Sequence, residues 1–167
     1  DAESINAYHQ MLADGISEDL ALQILQQKSR ENCRIPMQWD MTTNHGFTTG
    51  TPWLQPVVAD DYSVATKAQA PDSVFAFYQQ LVALRKTEPV LIEGQYQLLA
   101  PEDEAVYTYQ RQLGDKKVRV IANFTDQTQQ RANAAVKAVM MSNYPDQQLT
   151  TDQITLRPYE AVMLEIE

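Results

Sequence analysis

The sequence has 167 residues, of which 44% are hydrophobic and 5 are glycine, so it predicts a globular protein and argues against low-complexity or collagen-like chains. With 13 basic and 22 acidic residues its net charge is −9, which excludes nucleic acid and anionic membrane surfaces as expected partners. Its one cysteine, Cys33, excludes an internal disulfide and favours a reducing compartment, so we expect the cytoplasm.

The N-terminus has neither an initiator methionine nor a basic-then-apolar targeting pattern, and it is expected to be a cut end. Apolar residues at helical spacing predict a helix over residues 3–12 that ends near Gly15. Ser17 then offers a side-chain oxygen to the free amide groups of a second helix, predicted from about residue 18 to residue 28.

No period of either kind persists over residues 30–70, where proline and glycine recur, so a long loop is predicted. Connections longer than roughly 12 to 15 residues are uncommon in compact domains unless they are functional or disordered. Large apolar side chains that favour burial argue against disorder here. They are Met37, Trp39, Phe47, Trp53 and Leu54.

A third helix is predicted to open at Asp72, an N-cap residue, and to stop before Pro89. Its apolar residues recur at helical spacing and form one face. These residues are Val74, Phe77, Leu81 and Leu84.

Beyond residue 90 the apolar period changes from 3.6 to 2, which predicts short strands joined by turns. Because no helices separate the strands, an antiparallel sandwich or small barrel is expected. The predicted strands are 95–99, 105–111, 118–124, 135–141, 154–156 and 161–166.

Two stretches of the loop carry a specific pattern. Residues 29–40 read Ser-Arg-Glu-Asn-Cys-Arg-Ile-Pro-Met-Gln-Trp-Asp, and residues 44–53 read Asn-His-Gly-Phe-Thr-Thr-Gly-Thr-Pro-Trp. They resemble the S-R-D-N-x-R-T-P-M-Q-W-D and N-A-G-F-T-T-G-x-P-W segments of α-glucosidases in glycoside hydrolase family 13, the group that holds oligo-1,6-glucosidases and trehalose-6-phosphate hydrolases. The segment Leu-Arg-Pro-Tyr-Glu-Ala at 156–161 adds a weaker match.

The resemblance implies an α+β fragment that joins parts of two domains. Residues 1–89 would be the C-terminal remnant of a (β/α)8 catalytic barrel, with its last helices and the signature loop 29–70. The apolar face of the third helix would lie against a barrel strand. Residues 90–167 would form an all-β antiparallel sandwich domain.

The parent protein is then expected to be a retaining α-glucosidase that hydrolyses short oligosaccharides. That chemistry needs two carboxyl groups about 5 to 5.5 Å apart. In the family they come from earlier barrel strands, whose motifs are missing from this sequence. We therefore predict no catalytic residue, no cofactor and no metal ligand here, and an inactive isolated fragment that lacks its N-terminal catalytic barrel as partner.

Arg34 is the leading candidate for substrate binding, because the resemblance places it beside the sugar, where a planar guanidinium can hold a hydroxyl and an acidic neighbour. The alternative is that Arg34 only ties the loop to the barrel. Phe47 could stack on a sugar face or anchor the loop. Arg30 is expected to cap helix carbonyls, and His45, where relatives often carry alanine, is expected on the loop surface.

A second hypothesis stays open. The chain could be a stand-alone carbohydrate-binding or interaction module built on the β-sandwich, with residues 1–89 as an addition. The coding sequence upstream of Asp1 separates the two hypotheses, since barrel strands bearing a nucleophile and an acid would support the first.

Overall fold

A computed structural model describes residues 1–56, 62–150 and 152–167. The chain divides into two compact units, Asp1–Ser73 and Val74–Glu167. The third helix thus groups with the second unit, and the domain boundary predicted after residue 89 stays a prediction. Within the described residues no helix is long and apolar enough to cross a bilayer.

The first unit opens with the two predicted helices, α1 (Ala2–Ala13) and α2 (Glu18–Lys28), which pack together. Gly15 takes the left-handed conformation between them, with φ +83°. The Ser17 hydroxyl accepts a hydrogen bond from the Leu20 amide at 3.4 Å, as the capping pattern predicts. Both helix predictions are confirmed.

The segment after α2 is mainly irregular, as predicted, but it contains short pieces of helix. Two 3-10 turns cover Arg30–Cys33 and Thr43–Gly46, and a single-turn helix, α3, covers Val64–Lys67. Ser63 caps α3, its hydroxyl accepting from the Thr66 amide at 3.2 Å. Elements of four residues are too short to show a helical period, and the sequence therefore did not reveal them.

The second unit opens with helices α4 (Val74–Thr87) and α5 (Val90–Glu93). The expectation that α4 starts at Asp72 is wrong, because a turn precedes the helix; its end before Pro89 is confirmed. The short α5 was not predicted. Gly94 ends it, and a Cβ atom there would collide with the Val90 carbonyl oxygen, so this position needs glycine.

Two antiparallel sheets follow. The larger has the order β1-β2-β3-β8-β5 and the smaller has the order β4-β7-β6. The strands are β1 (Gln95–Leu99), β2 (Val106–Leu113), β3 (Lys116–Asn123), β4 (Gln129–Ala132), β5 (Val136–Ser142), β6 (Gln148–Leu149), β7 (Gln153–Leu156) and β8 (Ala161–Ile166). The predicted antiparallel sandwich is confirmed, and β4 and β6 are additional strands.

The first of two cores lies between the sheets, which makes this unit a sandwich. The larger sheet supplies Val106, Ile121 and Leu164, and the smaller supplies Ile154 and Leu156. Each of these side chains is exposed by no more than 1%. Burying an aliphatic side chain of this size contributes roughly 1.5 to 3 kcal/mol, so this core is the main source of stability of the unit.

The second core lies on the opposite face of the larger sheet. Val118 and Met163 pack there with Val90 of α5 and with Leu81 and Leu84 of α4. Leu81 and Leu84 are therefore packed against this sheet, and the contact of the same face with a barrel strand in the parent protein stays a prediction. The other side of α4 remains open and has a shallow apolar cleft lined by Val74, Phe75, Tyr78 and Val82 among others.

A buried carboxylate organises the turn before β8. Glu160 is 1% exposed, and it accepts hydrogen bonds from the backbone amide, Nε and Nη2 of Arg157 at 2.8 to 3.0 Å. Arg157 also donates to Asp146 at 2.8 Å and lies over the Tyr144 ring. Glu160 first, and Asp146 second, raise the pKa of Arg157, so its charge is permanent.

Asn123 begins a sequence that fits the N-glycosylation pattern, but its side chain is structural. The residue is 3% exposed, and its Nδ2 atom donates to the carbonyl oxygens of Gln127 and Arg157 at 2.7 and 2.9 Å. Glycosylation modifies this same nitrogen atom. The engaged amide fastens the end of β3 to the loop before β4.

A partly buried ion pair joins the β1–β2 connection to β4. Asp103 accepts from Arg131 Nε at 2.6 Å and from Arg131 Nη2 at 3.0 Å, and also from the backbone amides of Ala105 and Val106. Its side chain is 18% exposed. Hydrogen bonding by Arg131, helped by the two amides, holds the pKa of Asp103 far below its ordinary value.

We expect Asp103→Asn to lower the free energy of unfolding by about 1 to 2 kcal/mol near pH 7. Because the folded-state pKa is depressed, this contribution is full above the unfolded-state value of about 3.9 and is lost as the pH falls through the folded-state pKa. Urea unfolding of both proteins between about pH 7 and pH 2 measures it.

The matched control is Asp115→Asn, in the exposed turn between β2 and β3. We expect it to change stability by less than about 0.5 kcal/mol at any pH. A difference between wild type and Asp103→Asn that stays constant over the whole pH range would contradict the assigned role of Asp103.

Candidate functional site

The first unit carries the signature loop, and an ion pair fixes where the loop starts. Arg30 follows α2 and donates from Nε and Nη2 to the two carboxylate oxygens of Asp1, at 3.0 and 2.9 Å. Glu3 lies 3.1 Å from the same guanidinium. Arg30 is therefore structural, as expected, but it binds carboxylates at the start of α1 instead of helix carbonyls.

The centre of the loop is a tight turn over residues 39–46. The amides of Trp39 and Asp40 both donate to the carbonyl oxygen of His45, at 2.8 and 3.3 Å. The His45 amide donates back to the Thr42 carbonyl at 2.8 Å. These bonds close the turn on itself without a helix or a sheet.

The carboxylate of Asp40 holds this turn together. One of its oxygens accepts from the amide and the hydroxyl of Thr42, at 2.8 and 2.5 Å. These bonds, the hydroxyl first, lower the pKa of Asp40, with a smaller contribution from nearby His45. Asp40 is thus an ionised structural acceptor, and a group of this kind is unsuited to act as a general acid.

Three consecutive residues of the turn have left-handed backbone angles. Asn44 and His45 both have φ of 52°, and Gly46 has φ of 69°. The Asn44 side chain spans the turn, its Nδ2 atom donating to the carbonyls of Thr48 and Gly50 at 3.1 and 2.7 Å. Asn, His and Gly tolerate this conformation best, so the Asn-His-Gly sequence was the signal that could have predicted the turn.

His45 is partly buried and partly exposed, and its expected role at the loop surface stays a prediction. Its Nδ1 atom is buried and has no hydrogen-bond partner among the described residues. The carbonyl oxygen of His45 closes the turn by accepting from the amides of Trp39 and Asp40.

The turn is also joined to α3. The amides of Val64 and Ala65 donate to the carbonyls of Gln38 and Trp39, both at 2.9 Å. The first turn of α3 therefore braces the segment that enters the tight turn. Residues 38–50 form a hydrogen-bonded platform that can present side chains in fixed positions.

Of the two predicted binding residues, Arg34 lies before this platform and Phe47 lies within it. Arg34 follows the 3-10 turn Arg30–Cys33 and is exposed, and Phe47 follows Thr43–Gly46 and is 49% exposed. Trp39 is 50% and Trp53 is 86% exposed. The loop thus presents a cation and aromatic rings, which suit sugar hydroxyls and sugar faces respectively.

Within the described part of the chain, no group of three or more His, Cys, Asp or Glu side chains could hold a metal ion. Within residues 39–46 the carboxyl group belongs to Asp40, and it already accepts hydrogen bonds from Thr42. The platform thus exposes aromatic rings, while its carboxylate serves the turn itself.

Comparison with known proteins gives the class. Residues 5–94 match the family described as alpha amylase, catalytic domain, and residues 106–163 match the alpha-amylase SusG C-terminal domain. The chain therefore belongs to the alpha-amylase family, glycoside hydrolase family 13. The resemblance seen in the sequence is confirmed.

More particularly, the chain is similar to two kinds of α-glucosidase. It is 38% identical to an oligo-1,6-glucosidase of Heyndrickxia coagulans, over 100% of this chain and 30% of that protein. It is 37% identical to a trehalose-6-phosphate hydrolase of Bacillus subtilis strain 168, over 98% of this chain and 30% of that protein. The chain thus spans about a third of the length of these relatives.

Solved structures agree. The trehalose-6-phosphate hydrolase of Bacillus licheniformis superposes with a TM-score of 0.85 at 33% identity, over 99% of this chain and 31% of that one. Isomaltulose synthase from Klebsiella sp. LX3 superposes with a TM-score of 0.87 at 27% identity, over 100% and 31%. The expected fold class, a barrel fragment followed by a β domain, is confirmed.

We expect Gly46→Ala to loosen the central turn. Its φ of +69° disfavours alanine, and the new Cβ would lie 2.8 Å from an Asp40 carboxylate oxygen. A cost of about 1 to 2 kcal/mol should speed hydrogen exchange at the Trp39 amide roughly tenfold. Exchange followed by nuclear magnetic resonance measures this.

Gly50→Ala is the matched control within the same platform. A Cβ at Gly50 meets the Thr48 hydroxyl at an ordinary 3.7 Å. Exchange at Trp39 should then match wild type. Equal acceleration in both variants would show that the turn does not depend on the left-handed glycine.

Proposed function

We propose that the chain is the C-terminal part of a retaining α-glucosidase that hydrolyses α-glucosidic bonds of short oligosaccharides. The main support is the signature loop, in which Arg34 precedes a hydrogen-bonded platform of residues 38–50 that exposes the Trp39 and Phe47 rings. The oligo-1,6-glucosidase and the trehalose-6-phosphate hydrolase named above align with 100% and 98% of this chain.

In this proposal residues 1–89 are the C-terminal remnant of the catalytic barrel, and residues 90–167 are the C-terminal β-sandwich domain. The catalytic carboxyl groups belong to the preceding barrel strands. The outer side of α4 is apolar and open, with Val74 74% and Tyr78 62% exposed. An apolar surface of this kind supports the proposal that another part of the catalytic domain covers α4. A cytoplasmic pool of short oligosaccharides is the expected source of substrate.

Arg34 is proposed as a substrate-binding residue, donating to a sugar hydroxyl and to a carboxylate that flanks it. Phe47 is proposed to contact a sugar face. Neither residue breaks a bond. Both act by holding the glucose unit in position for carboxyl groups supplied by the barrel strands.

The decisive experiment extends the coding sequence upstream. We expect barrel strands with a nucleophilic Asp and an acid Glu, and we expect the longer protein to hydrolyse nitrophenyl α-glucoside and isomaltose or trehalose 6-phosphate. The 167-residue chain alone should hydrolyse none of them, because the carboxyl pair is absent. An upstream start codon directly before Asp1 would favour the stand-alone binding module instead.

In the longer protein, we expect Arg34→Ala to lower kcat/KM by an amount that corresponds to about 2 to 4 kcal/mol of transition-state stabilisation, because it removes a charged contact at the sugar. The melting temperature should change little. Steady-state kinetics and thermal unfolding of the same variant measure the two effects.

Arg30→Ala provides the contrast from the same loop. It removes the surface ion pair with Asp1 and should cost up to about 1 kcal/mol of stability with near-normal kcat/KM. Normal kinetics in Arg34→Ala together with a large fall in melting temperature would make Arg34 a structural anchor.

A further inference from the structure

The second unit contains a polar cleft that the proposed catalysis does not use. Gln95, Gln97, Gln110 and Gln112, with Tyr96, line a cleft of about 370 Å³ on strands β1 and β2. The register pairs Gln95 with Gln112 and Gln97 with Gln110. Because side chains alternate along a strand, the four amides share one face of the sheet.

The same face of the larger sheet also carries residues of the first core, near the other end of β2. Val106 of β2 lies on it and is 1% exposed, packed with Ile154 and Leu156 of the smaller sheet. Further along β2 the same-face positions are Gln110 and Gln112, and Gln112 is exposed. The amides therefore occupy the part of the face that lies beyond the first core.

Arg119 of β3 stands directly opposite Gln110 and donates from Nη2 to its Oε1 atom at 3.2 Å. Its Nε atom is buried and has no acceptor among the described residues. Burial lowers the pKa of Arg119. Arg119 does not itself line the cleft, and its contribution there is to orient the Gln110 amide.

The amides are oriented by neighbouring groups. The Oε1 atom of Gln110 accepts from Arg119, so the Nε2 group of Gln110 remains able to donate. The Nε2 group of Gln112 donates to the Gly114 carbonyl at 3.1 Å, so the Oε1 atom of Gln112 remains able to accept. A donor and an acceptor side by side match neighbouring hydroxyl groups, each of which both donates and accepts.

The lining side chains carry no charge, which favours an uncharged ligand over a phosphate or a cation. Tyr96 borders the cleft, but its ring lies on the opposite face of the sheet, where it contacts Tyr107 and Tyr109. The volume lies within the range of roughly 300 to 1,000 Å³ that is usual for small-molecule sites.

We propose that this glutamine cleft binds a neutral glucose oligosaccharide through its hydroxyl groups, as a sugar site separate from the signature loop. The cleft binds without catalysis. Its occupancy does not depend on the proposed hydrolysis, so each can fail alone.

Titration of the isotope-labelled 167-residue chain with maltotriose and with isomaltotriose tests the proposal. We expect saturable shifts of the side-chain amide signals of the four glutamines, with a Kd of roughly 1 to 10 mM for at least one sugar. Sorbitol at equal concentration should produce none. Absence of saturable shifts for both sugars up to about 50 mM would overturn the proposal.

Two variants locate the site. The double variant Gln110→Leu, Gln112→Leu should weaken binding at least about tenfold, and Gln110→Glu, which keeps an acceptor for Arg119 but loses the Nε2 donor, should also weaken it. Gln130→Leu, an exposed glutamine of β4, is the matched control and should bind like wild type. Unchanged affinity in the double variant, or tighter binding of trehalose 6-phosphate than of the neutral sugars, would contradict the proposal.

Discussion

Burial of β8 on both faces is the constraint on which the second unit depends. Val162 and Leu164 point into the core between the sheets, and Met163 points into the core under α4 and α5. Both edges of β8 are paired, one with β3 and the other with β5. A strand that is apolar on both faces and paired on both edges can occupy only a central position, and the remaining strands and helices are arranged around it.

The strands that carry core residues could be predicted from the sequence because burial imposes a visible pattern. β1 and β8 were found with their full bounds, and β2, β3 and β5 were found within two residues. β4 was missed because its sequence, Gln-Gln-Arg-Ala, has no apolar alternation; its pairing with β7 and the Asp103 ion pair hold it in place. Such long-range partners leave no local trace in the sequence.

For the signature loop, the sequence predicted the family better than it predicted the local structure. Its sequence pattern indicated the family, yet its geometry depends on a carboxylate and three left-handed residues that no hydrophobic period reports. Burial of its large rings was expected, but Trp39 and Trp53 are at least half exposed. Among residues 1–56 and 62–73, the buried positions are prolines and small residues such as Ala21 and Ser63, so these segments offer the rings few large apolar neighbours. The partners expected for these rings would belong to a larger catalytic domain.

The position of β8 along the chain has a consequence for the order of folding. It follows every other strand in the sequence, yet it lies between β3 and β5 in the larger sheet. During synthesis, β1, β2 and β3 can pair as consecutive hairpins. β5 cannot join this sheet until residues 161–166, which form its partner strand β8, have left the ribosome. Closing such distant pairs is slow, because chain entropy is lost before the contacts form. Until then the edge of β3 that pairs with β8 stays unpaired, and an unpaired strand edge exposes the nascent chain to aggregation during this interval.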